Sequence, residues 1–452
     1  MDISRANFAE HLPEIIKSIE NSVCVTFDLE LSGIHRAAFS KNPSLGRRQN
    51  VEERYKEVKE AAERFQILQF GLCTVTADEE TGIYVCRPYN IYLSPATDPK
   101  FGIDREYTVQ AGALEFLSEN GFNFNAQFTS GVPYLSRSEE KWILEREDRL
   151  LSEQKEDIHV DDHSKQFVED FVNEIRDWVD DPNPLYDFLN VSTASGTLNG
   201  YQRRLVHQIV RNTFPNLTTL GKGTFVQIVK QDPAADKLKR EERRARFDKD
   251  LTRGIGLRRL IDILFASGKP LVGHNLFTDL INLYACFIGP LPETAREFGQ
   301  LVNKTFPIVL DTKYLATSTP STSHFASSLH TLWDTLAPLK FPRIDLHTGH
   351  TRYVVSMHAH EAGYDSFNTA RVLLRIAGRY HALLQECQVA KETDAESKAA
   401  AKLMDFIHKP NPLGVVESGE GYILPGFEGQ FWRKWVNRLR VNGTVEGEFV
   451  LG

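Results

Sequence analysis

The sequence predicts an α/β domain interrupted by a small insertion. Three observations carry this. Short β-branched and apolar runs alternate with amphipathic helical patterns before residue 166 and again after residue 254. Between them, residues 166–230 hold an apolar pattern of their own. Charge-rich segments at 139–165 and 237–250 bracket that pattern.

Residues 8–20 place Phe8, Leu12, Ile15, Ile16 and Ile19 on one face at helical spacing. SVCVTFDLELSGI then reads as a buried strand broken at Ser32-Gly33. VEERYKEVKEAAERF, residues 51–65, is a charged helix. QILQFGLCTV and GIYVCRPYNIYL are two further strands joined by the turn-like ADEETG. A helix over 111–118 and an aromatic loop, GFNFN, follow. Residues 139–165 read as a helix running into a solvated connection. The insertion has helices at FVEDFVNEIRDWV and NGYQRRLVHQIVRNTF and a strand at TFVQIVKQ, and KLKREERRARFDKD is an exposed helix. IGLRRLIDILFASG is amphipathic, and KPLVGHN is a short buried strand that opens another helix. The tail carries a helix at AESKAAAKLMDFIH, a Pro/Gly-rich stretch, and a hairpin signal at Asn442-Gly443.

Composition narrows the function classes. A chain of 452 residues with 41 % hydrophobic and 25 % charged residues is an ordinary globular sequence, which excludes dominant disorder, collagen-like repeats and a disulfide scaffold. The net charge of −8 excludes a protein-wide basic field, so nucleic-acid contact must rest on a local patch. Cys24, Cys73, Cys86, Cys286 and Cys387 contain no CxxC pair, which argues against a disulfide framework or structural zinc and for a reducing compartment. The N-terminus is too polar for a signal peptide and no apolar run is long enough to cross a bilayer. A soluble intracellular protein without a membrane segment is expected.

Asp28 and Glu30, one residue apart on a strand, fall on the same face. Such a pair most often marks a strand end in solvent. The apolar context VCVTFDLELSGI instead places it in the sheet, where two carboxylates are costly to bury unless a cation neutralises them. Asp279, in LVGHNLFTDLINLY, falls about a turn into a helix beginning near Asn275; Asn275 reads as its N-cap, and Gly273 allows close backbone approach. Its plainer role is to complement the helix dipole. His360 and Asp365 lie in HEAGYDSFNTARVLLRIA, with His360 at or before the helix start and Asp365 on the helix. Four carboxylates and a histidine suit two-metal phosphoryl transfer. Hard cations such as Mg²⁺ take oxygen ligands, two ions roughly 4 Å apart can serve attacking and leaving oxygens, and histidine titrates near neutrality.

FDLELSGI, VGHNLFTDL and HEAGYD, in this order, resemble the DEDD superfamily of 3′→5′ exonucleases. Glu361 stands where the tyrosine subclass carries Tyr, which favours the histidine subclass. Within the superfamily the chain is similar to the poly(A)-specific ribonuclease family and its piRNA-trimming relatives. EERYKEVKEAAERFQILQFGLCTV, LEFLSENGFNFN, SGVPYLS, GPLP and FPIVLDTK carry the similarity over about residues 1–385.

The resemblance implies an RNase H-like exonuclease fold with a mixed sheet, interrupted by a small inserted α/β RNA-binding domain. It implies Asp28, Glu30, Asp279 and Asp365 as metal-binding carboxylates, two Mg²⁺ ions with Mn²⁺ as a substitute, and His360 as general base. Lys313 matches an RNA-contacting lysine, and Ile34, Leu114 and Phe116 match positions on the poly(A) path; by themselves Leu114 and Phe116 read as core residues of a short helix. Arg203 and His207, one turn apart on a helix, resemble the single-stranded nucleic-acid-binding domain named for its Arg-x-x-x-His motif, though an ordinary amphipathic helix would carry the same pair. Lys237, Lys239, Arg240, Arg243, Arg244 and Arg246 form a basic cluster blunted by Glu241 and Glu242. The expected layout is nuclease domain at 1–160 and 248–395, insertion at 161–247, and a C-terminal extension at 396–452.

Two departures matter. Leu31 stands where the family carries an aromatic, and base stacking contributes roughly 1–3 kcal/mol, so strict adenine preference is in question. Residues 396–452 hold no RNP aromatic signature, which argues against cap stimulation, and no membrane anchor of the trimming relatives' kind. The expectation is a 3′→5′ exoribonuclease of single-stranded RNA, poly(A) tails first, releasing 5′-mononucleotides. Its alternatives are a trimmer of small or non-coding RNA ends, a catalytically inactive RNA-binding scaffold, and a DNA exonuclease. The resemblance also implies a homodimer and residence in the nucleus, the cytoplasm or both.

Overall fold

The computed structural model describes residues 1–34, 48–152, 157–194, 196–318, 327–354, 358–408 and 423–452. Two compact units separate in it. One joins Met1–Leu144 to Thr252–Gly452; the other is Glu145–Leu251. The Pro/Gly-rich stretch of the tail lies largely outside the described residues.

The strands of the first unit are β1 (Asp2–Ile3), β2 (Cys24–Leu31), β3 (Ile67–Asp78), β4 (Ile83–Ser94) and β5 (Val132–Pro133). The second unit contributes β6 (Phe188–Val191), β7 (Leu217–Gly221) and β8 (Val226–Lys230). The first resumes with β9 (Leu271–Gly273), β10 (Val309–Asp311), β11 (Arg343–Leu346), β12 (Arg438–Arg440) and β13 (Glu448–Val450). Its sheet runs β1-β4-β3-β2-β9-β10, with β5 and β11 also on β4. β2, β3 and β4 are antiparallel, whereas β9 and β10 run parallel to β2, so the sheet is mixed.

Period-two geometry gives β2 two faces. Val25, Phe27 and Leu29 enter one apolar cluster, which also holds the helix Phe8–Glu20 through Leu12, Ile15 and Ile19. Thr26, Asp28 and Glu30 occupy the other face, covered by the long helix Ala362–Val389: the Thr26 hydroxyl donates to the Ser366 carbonyl at 2.6 Å. The described residues after 395 pack into the first unit. The helix Ala395–His408 packs on the helix Ala362–Val389, Trp432 and Trp435 are buried in that core, and Leu439, Val441 and Leu451 enter the opposite one. Apolar burial ties the tail to the sheet that the expected boundary at 396 would have cut off.

The hairpin of β12 and β13 forms, but Arg440 pairs with Glu448, so seven residues connect the strands rather than a two-residue Asn-Gly turn. The backbone amide of Val445 donates to the Gln49 carbonyl at 2.8 Å, and this tertiary contact opens the turn.

The second unit is an antiparallel sheet, β6-β8-β7, with the helices Lys165–Asp180 and Gly200–Thr213. Its core includes Phe171, Ile175, Val206, Val210 and Ile228. Only β8 is legible in sequence; β6 and β7 are short and lack apolar alternation. The charged stretch after β8 is one helix, Pro233–Ile255. Three of the cations on this helix have acidic neighbours, Arg243 with Glu147 at 3.0 Å, Arg244 with Asp248 at 3.0 Å and Lys237 with Glu241 at 3.9 Å.

Candidate active site

The helix Ala362–Val389 begins directly over the sheet, and small and polar residues of β3 and β4 make that possible. Gly71 lies between Asp28 on β2 and Asn90 on β4, and a β-carbon on it would overlap the Ala362 carbonyl. Flanking it, Gln69 Oε1 accepts the Ala362 N–H at 2.8 Å and Asn90 Oδ1 accepts the Gly363 N–H at 3.2 Å. These sheet amides do the work of an N-cap, since Glu361 makes no side-chain cap bond. Asp365, in the first turn, is thereby held against Asp28 and Glu30.

His360 precedes that helix in a left-handed conformation, φ 63°, and its backbone N–H donates to Asp365 Oδ2 at 3.1 Å. Its ring meets the Phe116 ring edge to face, centroids 4.5 Å apart. Left-handed backbone is uncommon outside glycine and persists where surrounding contacts over-determine it.

Asp279 arrives by a second strained turn. The helix is Phe277–Phe287, capped by Leu276, so Asn275 is not its N-cap. Asn275 instead adopts φ 61° and gives its N–H to Asp311 Oδ1 at 2.8 Å. Asp311 also accepts the backbone amides of Lys313 and, at 2.9 Å, Arg440. Gly273 makes room for the Leu276 side chain rather than for a ligand.

Asp28, Glu30, Asp279, His360 and Asp365 line one cleft of about 680 Å³, together with Ile34, Phe116 and Leu31. Candidate ligand atoms of Glu30, His360 and Asp365 lie within 4.8 Å of one another. Burial, then the charges of Asp365, Asp279 and Glu30, hold the Asp28 carboxyl well above its ordinary range. Glu30 is raised by burial and by Asp365 and Asp279. Asp279 is pushed up to about 8 by burial and Asp311. Asp365 is pushed up to about 7, because burial outweighs its bonds to the His360 N–H and Asn368. Arg54 also lines the cleft but is ion-paired with Glu57 at 2.9 Å, and four carboxylates packed together are a donor set for a hard cation, so the residues fit a divalent metal. Desolvation and then His330 lower the His360 pKa, which favours the neutral, proton-accepting form of the imidazole.

Ile34 is 52 % exposed and Phe116 45 % exposed, both facing the cleft, so Phe116 is no core residue. Leu114, one position off that face, is half-buried and outside the cleft lining, while Leu117 takes the core position. Lys313 also lies outside the lining, half-buried beside Asp311, and burial lowers its ammonium pKa. Arg203 and His207 belong to the second unit, where they line a cavity of about 460 Å³ with Arg204, Arg211 and Gly223. His207 Nδ1 lies 2.7 Å from the Thr219 hydroxyl.

Sequence reasoning did not single out Gln69, Asn90, Asp311 or Gln110. Gln69 carried a signal, a lone polar side chain at an inward position of an apolar strand. Gln110 Oε1 accepts the Ile34 N–H at 3.1 Å and holds the loop after Glu30 in the cleft wall.

Comparison with known proteins gives the following. The sequence profile of the CAF1 family ribonucleases matches residues 3–373. The poly(A)-specific ribonuclease PARN of Xenopus laevis is 30 % identical over 405 residues, which cover 83 % of this chain and 62 % of that protein. The chain thus spans less than two thirds of that relative's length. The pre-piRNA 3′-exonuclease trimmer of Bombyx mori is 27 % identical, covering 94 % of this chain and 78 % of that protein. Among solved structures, Schizosaccharomyces pombe Pop2p in its Mg²⁺- and Mn²⁺-bound form aligns at 15 % identity and a TM-score of 0.38, over 84 % of this chain and 92 % of that one. A match running from β1 into the helix that carries Asp365 takes in both the mixed sheet and every acidic residue of the cleft, and the chain belongs to the CAF1 family ribonucleases.

Proposed function

We propose that the protein is a divalent-metal-dependent 3′→5′ exoribonuclease that removes nucleotides from single-stranded RNA, poly(A) first, and releases 5′-mononucleotides. The observation that carries this is the meeting of Asp28, Glu30, Asp279, Asp365 and His360 in one open cleft. The names of the PARN and trimmer relatives support an RNA 3′ end as substrate.

Asp28, Glu30, Asp279 and Asp365 would hold two Mg²⁺ ions, with Mn²⁺ as a substitute. When bound, such ions supply an activated water and charge stabilisation at the leaving oxygen. The imidazole of His360 takes the proton of the attacking water, its ring held by Phe116 and its backbone by Asp365. Ile34 and Phe116 give the terminal base an apolar wall. In the second unit, Arg203 and His207 would meet the RNA backbone.

One observation favours the second reading, a trimmer of RNA ends with weak base preference. Leu31 lines the cleft with an aliphatic side chain only 8 % exposed, so it offers a base little surface to stack on. A homodimer and nuclear or cytoplasmic residence belong to the reading through the family resemblance.

The test is a timed digestion of 5′-labelled oligo(A), oligo(U) and mixed RNA with Mg²⁺, beside His360→Ala. A ladder on oligo(A) alone supports a deadenylase; ladders on all three support the trimmer. RNA bound but uncut by the parent would mean a scaffold, and a parental rate for His360→Ala would remove the assignment of the base.

A further inference from the structure

The GFNFN loop has no role in the mechanism above, yet it lines a second cleft that borders the active site at His360. This cleft, about 490 Å³, shares His360 with the catalytic one. Its volume lies in the range of roughly 300–1,000 Å³ typical of small-ligand sites. One wall is aromatic: Phe122 packs against Tyr92 and Phe124, with centroids 5.2 and 4.8 Å apart, and the ring is half-buried. Gly121, at φ 76° with open space around it, makes the turn that presents Phe122. Exposed Asn120 and Asn123 stand beside the ring. Gln69 forms the floor; its Oε1 is taken by the Ala362 N–H, and its buried Nε2 has no hydrogen-bond partner.

The charged groups of this cleft are engaged with one another, one arginine between two carboxylates, which leaves an excess of negative charge that disfavours a phosphate. Arg352 is ion-paired with both Asp2 and Glu361, and the Tyr353 hydroxyl donates to Glu361 as well. What faces a ligand is an aromatic ring flanked by His358, His360 and the amides, of which Asn120 Nδ2 also donates to the Phe116 carbonyl at 2.8 Å and Asn123 Oδ1 accepts the Ala126 N–H at 3.3 Å. That combination suits a nucleobase, whose π-face stacks and whose edge hydrogen-bonds, far better than a phosphate.

We infer that this second cleft is a nucleotide subsite in which a base stacks on Phe122 beside the reacting end of the RNA. The inference rests on the exoribonuclease reading. The occupant is a nucleoside monophosphate unit, which has two sources: the nucleotide next to the scissile phosphate in the chain, or the mononucleotide just released.

Phe122→Leu keeps the apolar bulk and removes the ring; Phe122→Trp keeps a ring. Both are compared with the parent on an RNA oligomer and on the same oligomer made abasic at the second nucleotide from its 3′ end, with 5′-AMP as product inhibitor. If the chain's base occupies the cleft, the abasic change raises the parent's KM about ten-fold. Phe122→Leu then shows that raised KM on intact RNA, gains nothing further from the abasic change, and retains kcat, while Phe122→Trp restores the parental KM. If the released nucleotide occupies it, substrate constants stay and the 5′-AMP inhibition constant rises about ten-fold in Phe122→Leu. Parental constants throughout, or a loss in Phe122→Leu that Phe122→Trp does not restore, would overturn the subsite. Should the parent cut no RNA, the exoribonuclease reading fails by itself. Calorimetric titration of 5′-AMP into parent and Phe122→Leu then decides the subsite, equal affinities overturning it.

Discussion

Gly71 and Ala362 are 291 positions apart in sequence, and the carbonyl of Ala362 occupies the space that a β-carbon on Gly71 would fill. Gly71 faces Asp28 across the β2–β3 ladder, so this contact decides how closely Asp365 can approach the strand carboxylates. The cleft depends on a missing side chain as much as on the charged ones present.

Gly71→Ala is therefore expected to lift the start of the helix Ala362–Val389 from the sheet. The overlap is with backbone, which has no rotamer to change, so the cost is about 3 kcal/mol in denaturant unfolding. Hydrolysis should fall much further than binding of RNA does, because the groups that move are Asp365 and His360. A fully active Gly71→Ala protein would mean that the helix start has slack.

The contribution of the acidic cluster to the stability of the metal-free protein should fall as pH rises, which a comparison with Asp279→Asn isolates from the opposite trend of buried His274 and His350. Asp279 and Asp365 titrate at about 8 and about 7 in the folded state, above their unfolded values near 4. Between those values the folded state holds protons that the unfolded chain has released, so the cluster's contribution falls from about pH 4 through about pH 8. Each unit of upward shift corresponds to about 1.4 kcal/mol. Mg²⁺, which binds the ionised form, should raise Tm more at about pH 8 than at about pH 5. Thermal melts in chelator and in Mg²⁺ check this, and a Tm gain independent of pH would count against the cluster as the binding site.

Asp28→Asn should separate stability from chemistry. Removing one of four crowded carboxylates is expected to stabilise the metal-free protein at about pH 8 by on the order of 1 kcal/mol, read as a higher Tm, while hydrolysis drops below detection. A lower Tm would show that the carboxylate forms a stabilising bond in the folded protein.

Leu31→Phe should raise the ratio of oligo(A) to oligo(U) cleavage. Leu31 belongs to the core as well as to the cleft wall, so the added bulk also costs about 1–3 kcal/mol in unfolding free energy. Parallel digestions read the ratio; an unchanged one would place base selection elsewhere.

Trp432→Ala is expected to destabilise the first unit by about 3–5 kcal/mol, since the indole is fully buried among Phe427, Phe431 and Trp435. Cooperative unfolding with a shifted midpoint would accompany it. A parental midpoint would mean that residues 423–452 fold apart from the sheet.

Much of this site was legible in the chain because carboxylates in apolar context announce themselves. FDLELSGI puts Asp28 and Glu30 on one strand face by period alone, and helical spacing puts Asp279 and Asp365 near helix starts. The capping role given to Asn275 failed for a tertiary reason: Asp311, 36 residues away, captures its N–H and bends it into the left-handed region. The hairpin at Asn442-Gly443 opened for a similar reason, a bond from Val445 to Gln49.

By itself the sequence determined the residue types, their alternation along strands and helices, and hence which side chains could share a face. Those are local properties, set by backbone periodicity and burial preference. Only the tertiary structure decided that five residues from three distant segments share one cleft, that Phe116 faces His360 while Leu114 does not line the site, and that the tail completes the core. Each depends on contacts between segments far apart in the chain, where a glycine such as Gly71 or an amide such as Gln69 sets a distance that no local pattern encodes.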